Sequence, residues 1–384
     1  MPLIDTNASH LDKLGYYEVN GHKHLHKLTA YHHAGQDWSQ VRFNYNDNIF
    51  GAYDWTCEPR PGVPLTEFYK ERAQQLRHKY DYLILMFSGG PDSKNMLDVF
   101  IDNNIFIDEI VCIHSYDKTQ LHEGTIHNAD WLFNSKPSLD LWIKDHDLKS
   151  RITVVDEIDL AKQYLKSLGD RGDYELAFGS AGFASQCILK GTWVKHVPHI
   201  WQMILGDKSV GVVMGCDKPR ILLDHLGRYY TDWFDIALVD SHLALSEDPD
   251  LACREIKEHF YHSPDCVDLI AKQLHVLKNF MEIHRQEEFY YTPDPNKRMA
   301  HTCHSKYNRQ HLTYQTYHKL IYPKWNPAII TVKTPDYGSG GRPQDNWWLT
   351  QFTRDEAKFW VQVTQKVSRF KNMKPLFSKS LYLE

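Results

Sequence analysis

A chain of 384 residues, 42% of them hydrophobic, is long enough for one large domain or two ordinary ones around a sizeable core. Its net charge of −5 excludes an overall attraction to nucleic acid or anionic lipid, so a nucleic-acid partner would have to be met by a local basic face. No run approaches the roughly eighteen apolar residues of a membrane helix, Met1 to Asp5 does not open a secretory leader, and the seven cysteines form no C-x-x-C. A cytoplasmic protein with free thiols is expected.

In chain order, residues 16–57 alternate polar and aromatic positions in short runs, as in Val41-Arg42-Phe43-Asn44-Tyr45, which predicts a small β-rich N-terminal piece over residues 1–60. A Pro-Gly loop at 59–64 closes it, and residues 66–78 read as a charged helix. From residue 81 the pattern alternates strand and helix: strands over 82–87, 108–114, 151–155 and 210–215, helices over 92–103, around 120–133 and over 158–168. Such alternation predicts an α/β domain over 61–225 with a parallel sheet, whose ligands gather at the carboxyl ends of the strands. The loop after residue 87, residues 114–117, Asp156 and residues 215–220 are therefore expected to face one crevice. Further on, residues 223–230 resemble a hairpin, 249–285 read as mainly helical, and 353–373 as a last amphipathic helix. Residues 226–384 are thus expected to form a mainly helical substrate or lid region packed on the crevice.

The most informative segment is Ser88-Gly89-Gly90-Pro91-Asp92-Ser93, set between the apolar run Tyr82-Leu83-Ile84-Leu85-Met86-Phe87 and a helical pattern. Strand end, glycine turn and helix start bring unpaired N–H groups and a positive helix end to one spot, a nest suited to an anion with several oxygens. The string Ser-Gly-Gly-x-Asp-Ser in that setting resembles the PP-loop of the ATP pyrophosphatases, the superfamily of GMP synthetase, argininosuccinate synthetase, asparagine synthetase and the tRNA-thiolating and 7-deazaguanine-forming enzymes. The resemblance spans residues 80–225, is motif-specific in the first dozen of them, and is nearest in outline to the asparagine synthetase-like branch. It implies a Rossmann-like, HUP-type sheet, with ATP and Mg2+ as cofactors and cleavage between the α and β phosphates. The Walker pattern Gly-x-x-x-x-Gly-Lys-Ser/Thr that grips a transferable γ-phosphate is absent.

On that resemblance Ser88, Gly89, Gly90 and Ser93 contact the β and γ phosphates, and a side chain at either glycine would enter phosphate space. Asp92 orients the loop or joins a magnesium site; helix capping by Asp92 and Ser93 is the plainer role, and the two can coexist. His114 and Ser115, with Tyr116 and Asp117, lie where superfamily members hold adenine and ribose. Gly215-Cys216-Asp217-Lys218-Pro219-Arg220 loosely resembles the second glycine-and-aspartate segment of the asparagine synthetase-like enzymes. It offers Gly215 and Arg220 to the nucleotide, Asp217 as a second metal-binding and catalytic carboxylate, and Lys218 as a catalytic cation for the departing pyrophosphate; a solvated turn is the alternative. Lys306 is the candidate for the late-helix lysine that reaches back to the phosphates in that branch, a solvent-facing basic helix being its alternative. Cys216 reads as a structural thiol, residues 179–182 as a weak candidate substrate loop, residues 338–343 as a mobile lid, and His301, Cys303 and His304 as too few ligands for zinc. The C-terminus lacks the Glu-Cys-Gly-Leu-His of sulfonucleotide reductases.

The resemblance implies an AMP- and pyrophosphate-forming ligase that adenylates a carboxylate or carbonyl oxygen for attack by an amine. No cysteine follows Met1, so no glutaminase is expected and the amine or ammonia arrives free. The small N-terminal piece, the missing glutaminase and the aromatic-rich C-terminus resemble a bacteriophage-type member, which implies a nucleotide or nucleobase as substrate and the host cytoplasm as location. The alternative is a non-catalytic module that senses or sequesters an adenine nucleotide for a partner protein; an intact Asp92 with Lys218 nearby favours turnover.

Overall fold

The structure, a computed structural model, describes residues 15–24, 27–114, 135–168, 193–206, 208–215, 218–233, 255–287, 291–292, 311–325, 353–356 and 376–384. At the N-terminal end β1 (Tyr16–Val19), β2 (His22–His24) and β3 (Arg42–Asn44) form an antiparallel sheet in the order β2-β1-β3. Asn20 and Gly21, both at positive φ, turn the chain between the first two strands. The sheet supplies the expected strands, but the described residues before 60 are as helical as they are extended, since the short helices α1 (Lys27–His33) and α2 (Asp47–Phe50) were hidden among the aromatics. The charged helix follows as α3 (Leu65–Lys79), whose buried Leu65, Phe68, Tyr69, Arg72, Ala73 and Leu76 recur at three- and four-residue steps and so line one face.

The central sheet begins with β4 (Tyr82–Met86), an unbroken apolar run covered on both faces, as a central parallel strand must be. It continues through α4 (Pro91–Asp102), β5 (Glu109–His114), α5 (Lys136–His146), β6 (Arg151–Asp156), α6 (Glu157–Leu168), α7 (Pro198–Leu205) and β7 (Val210–Met214). The hairpin β8 (Leu222–Leu223) and β9 (Tyr229–Thr231) precedes the last member, β10 (Glu255–His259). All five strands are parallel, in the order β10-β7-β4-β5-β6. The chain thus runs outward from β4 to β5 and β6, then returns to the other side of β4 for β7 and β10. Where the direction reverses, the connections after β4 and β7 diverge and leave a crevice at the carboxyl ends of those strands.

β10 departs from the helical pattern expected over 249–285: a strand occupies 255–259 and α8 (Val267–Ile283) follows. The segment 255–259 does not resemble a strand because three of its polar members, Lys257, Glu258 and His259, are buried, all below 5% exposed. Periodicity of apolar residues cannot register a strand that is satisfied by ion pairs. The remaining described elements are β11 (Tyr291–Thr292) paired with β12 (His311–Leu312), α9 (Tyr314–Ile321), and β13 (Leu381–Tyr382), which joins β9. The helix expected around 120–133 and most of that over 353–373 lie outside the described residues.

One apolar cluster links Tyr17, Phe43 and Trp55 of the N-terminal part with Leu85 and Phe100, with Leu274 of α8, and with Leu383 near the C-terminus. Packing therefore crosses the pattern changes near 60 and 225, each fully buried Leu or Phe contributing about 1.5 to 3 kcal/mol. Among the described residues no helix is long and apolar enough to cross a membrane.

Candidate functional site

The loop between β4 and α4 is shaped by one backbone conformation. Gly89 has φ of +73°, which a side chain would strain. A Cβ built there would lie 2.6 Å from Ser135 Oγ and 2.8 Å from the Ser135 nitrogen, so Gly89 is needed for close packing against the start of α5. Ser135 also donates its hydroxyl to the Ser88 carbonyl at 2.9 Å and thereby fixes the outer turn. At Gly90, with φ of −74°, an added Cβ would meet only Ser88 Oγ, at 3.5 Å. The two glycines are thus not equivalent. Only Gly90 presents its Cβ direction to open space, and the phosphate-space argument applies there alone.

Pro91 at the first turn has no N–H, and the helix ladder of α4 starts with the Lys94 amide on the Gly90 carbonyl at 3.0 Å. The amides of Asp92 and Ser93 precede that bond and belong to the unpaired set of a helix start. Ser93 is 4% exposed; its hydroxyl donates to the Gly90 carbonyl at 3.1 Å and accepts from the Ser88 amide at 3.3 Å. It holds the loop closed from within, but the cap position of α4 is Gly90 and no side chain caps the helix, so neither Asp92 nor Ser93 fills the expected capping role. Ser88 is exposed.

Asp92 is the centre of the site. Its Oδ1 accepts from Lys218 Nζ at 2.6 Å and from the Tyr322 hydroxyl at 2.6 Å, and His318 Nε2 stands 3.7 Å away. The backbone carbonyl of Asp92 accepts from the Tyr261 hydroxyl at 2.7 Å, and Tyr261 in turn accepts from Asn95 Nδ2 at 3.0 Å. Burial opposes ionisation of Asp92, but the Lys218 ammonium and the His318 imidazole outweigh it and hold the carboxyl well below the usual range. The carboxylate is charged at neutral pH and its side chain keeps 30% exposure, so it remains reachable from the crevice.

Three elements converge to build this arrangement. Gly215, at the end of β7, approaches α4 so closely that a Cβ would lie 3.2 Å from the Asp92 carbonyl carbon. That approach delivers Lys218, which is 10% exposed and has its ammonium 5.6 and 5.7 Å from the Tyr317 and Tyr322 ring centres. α9 supplies His318 and, just beyond its end, Tyr322; it is seated by Tyr317 donating to the Pro219 carbonyl at 3.2 Å and by Tyr69 donating to the Ile321 carbonyl at 2.8 Å. Arg220 is directed elsewhere: its guanidinium pairs with Asp232 beyond β9 and lies over the Phe377 ring. It supports the β8–β9 hairpin, and the structure does not aim it at the loop.

His114 ends β5 at the same edge of the sheet, its backbone opposite Asp156, whose carboxylate caps the following helix through the Ile158 amide at 2.9 Å. Ser115, Asp217 and Lys306 lie outside the described residues, as do Cys216, residues 179–182, the His301–Cys303–His304 cluster and residues 338–343. Among the described residues no group of three or more His, Cys, Asp or Glu side chains is arranged to hold a metal. A magnesium ion brought in with phosphate oxygens needs only one or two protein carboxylates, and Asp92 meets that requirement. Sequence reasoning missed Ser135, Tyr261, His318 and Tyr322. His318 lies in α9 and Tyr322 is the extended residue that ends it, and nothing in their spacing named Asp92 as their target.

No family model matches the chain, and no curated protein matches it.

The glycines allow a sharp test of the loop. Gly89→Ala is expected to lower the melting temperature, since left-handed backbone alone costs about 1 to 2 kcal/mol and the clash with Ser135 adds to it. Gly90→Ala keeps a relaxed backbone, so it should melt like the parent. Thermal melts check both, and identical behaviour of the two variants would sink the distinction.

Proposed function

We propose that this chain is an ATP pyrophosphatase of the PP-loop superfamily, built on a Rossmann-like sheet, that cleaves ATP to AMP and pyrophosphate while adenylating a carboxylate or carbonyl oxygen. The observation that carries the proposal is the meeting of Asp92 and Lys218, from the loops after two adjacent parallel strands, beside a glycine turn at the point where strand order reverses. Loop amides at Asp92 and Ser93 bind phosphate oxygens, and the open side of Gly90 admits them. A magnesium ion supplies charge neutralisation on those oxygens when bound, with Asp92 as its protein ligand.

In this chemistry the substrate oxygen attacks the α-phosphorus, the bond from the α-phosphorus to the bridging oxygen breaks, and its electron pair leaves with pyrophosphate. In this reading Lys218 stabilises the negative charge that grows on the leaving group, which is supported by its ion pair with Asp92 beside the loop. An amine or ammonia then attacks the activated carbon, and AMP departs with the oxygen.

Incubation with ATP labelled at the α and γ positions, alone and with pools of carboxylate and nucleotide metabolites, tests the reading. Labelled AMP and pyrophosphate are expected. ADP and orthophosphate as the only products would overturn it, and tight binding without any cleavage would leave a nucleotide-binding module in its place.

A further inference from the structure

The cation best placed to meet an anion at the loop is already neutralised by the loop's own carboxylate. Lys218 Nζ lies 2.6 Å from Asp92 Oδ1, with 10% of the lysine side chain exposed. An incoming polyphosphate must therefore compete with Asp92 for the ammonium. The carboxylate has a second set of partners that do not depend on Lys218: the Tyr322 hydroxyl at 2.6 Å and, at 3.7 Å, His318 Nε2. Asp92 can thus be left by the lysine and still be hydrogen-bonded, which an otherwise bare carboxylate in this partly buried position would not tolerate.

Resting on the proposed phosphate-binding role of the loop, we propose that the Lys218–Asp92 pair is an internal plug: Lys218 transfers from Asp92 to the bound phosphate, and Tyr322 holds the carboxylate that it leaves. The attraction of Lys218 to phosphate is offset by the breaking of its ion pair with Asp92, so the plug weakens the binding of metal-free polyphosphate. Asp92 thereby determines how strongly the site retains a bare anion, separately from any direct interaction of its own with the ligand.

The test is a double-mutant cycle on the full chain, with inorganic pyrophosphate titrated calorimetrically in the presence of EDTA. Asp92→Asn should tighten pyrophosphate binding about tenfold or more, the equivalent of about 1.4 kcal/mol released from the pair. In the Lys218→Met background the same Asp92→Asn change should matter less than about threefold, because only screened repulsion remains to be removed. Equal factors in the two backgrounds would show simple charge repulsion and overturn the plug. If Asp92→Asn fails to fold, Tyr322→Phe carries the test. It removes the hydroxyl that holds the abandoned carboxylate, so pyrophosphate should bind several-fold more weakly, and unchanged or tighter binding overturns the plug. Failure of the parent and every variant to bind either pyrophosphate or ATP would instead reject the phosphate-binding role of the loop, and the plug with it.

Discussion

Lys218→Met should, on the proposed chemistry, lower ATP turnover roughly a hundredfold to a thousandfold while leaving nucleotide affinity nearly unchanged. Charge accumulates on the bridging oxygen only as the α–β bond breaks, so a fixed cation stabilises the transition state more than bound ATP. The geometry adds a second reason for the split. In the free protein Lys218 is bound to Asp92, 2.6 Å away, so removing the lysine deletes one ionic interaction from the free state and one from the bound state, and the difference between them is small. Methionine keeps the chain length and removes the charge that faces the Tyr317 and Tyr322 rings. Steady-state rates with the true substrate, alongside calorimetric ATP affinity, decide the matter. A parental rate would make Lys218 a structural partner of Asp92 only, whereas a large loss of affinity with unchanged turnover would place its action in ground-state binding.

The parts of the fold visible in the sequence were those whose burial is apolar. The strand at 82–86 is an unbroken apolar run, and the end of α4 near Asp102 and the start of β5 near Glu109 follow from the same pattern of covered faces. The strand at 255–259 was hidden because Glu258 is buried as a charge, paired with Arg72 at 3.0 Å and Lys79 at 2.7 Å from a helix nearly two hundred residues earlier. The site divided in the same way. Its local half, the glycine turn with Asp92, carries short-range backbone constraints that a string of six residues can display. Its distant half does not. Tyr261, His318 and Tyr322 meet Asp92 only because α8 and α9 pack as they do, and their residue types are common in cores. Gly89 is instructive, since its need for glycine comes from Ser135, forty-six positions away, rather than from a ligand.

Glu258→Gln is expected to destabilise the protein by about 3 to 5 kcal/mol, the usual consequence of removing one partner of a buried ion pair. Arg72 and Glu258 are each 1% exposed, so the guanidinium would remain out of water with only Gln75, the His259 carbonyl and a neutral amide as acceptors. The same carboxylate accepts from Lys79 at 2.7 Å and from the Tyr80 hydroxyl at 2.6 Å. Tyr80 reaches it across β7 at Gly211, where a Cβ would come within 2.3 Å of the ring. Urea unfolding should show a lower midpoint at unchanged slope, and a loss below about 1 kcal/mol would mean that relaxation or water compensates the arginine. Replacing Arg72 and Glu258 together by apolar residues of similar volume should cost less than the single change, because no charge is then left behind. The consequence extends to the site. The strand that carries Glu258 leads directly into Tyr261, whose hydroxyl holds the Asp92 carbonyl at 2.7 Å. Loosening β10 therefore releases one of the three hydroxyl and ammonium groups that fix Asp92, and the proposed ATP binding should weaken in Glu258→Gln even under conditions where the protein remains folded.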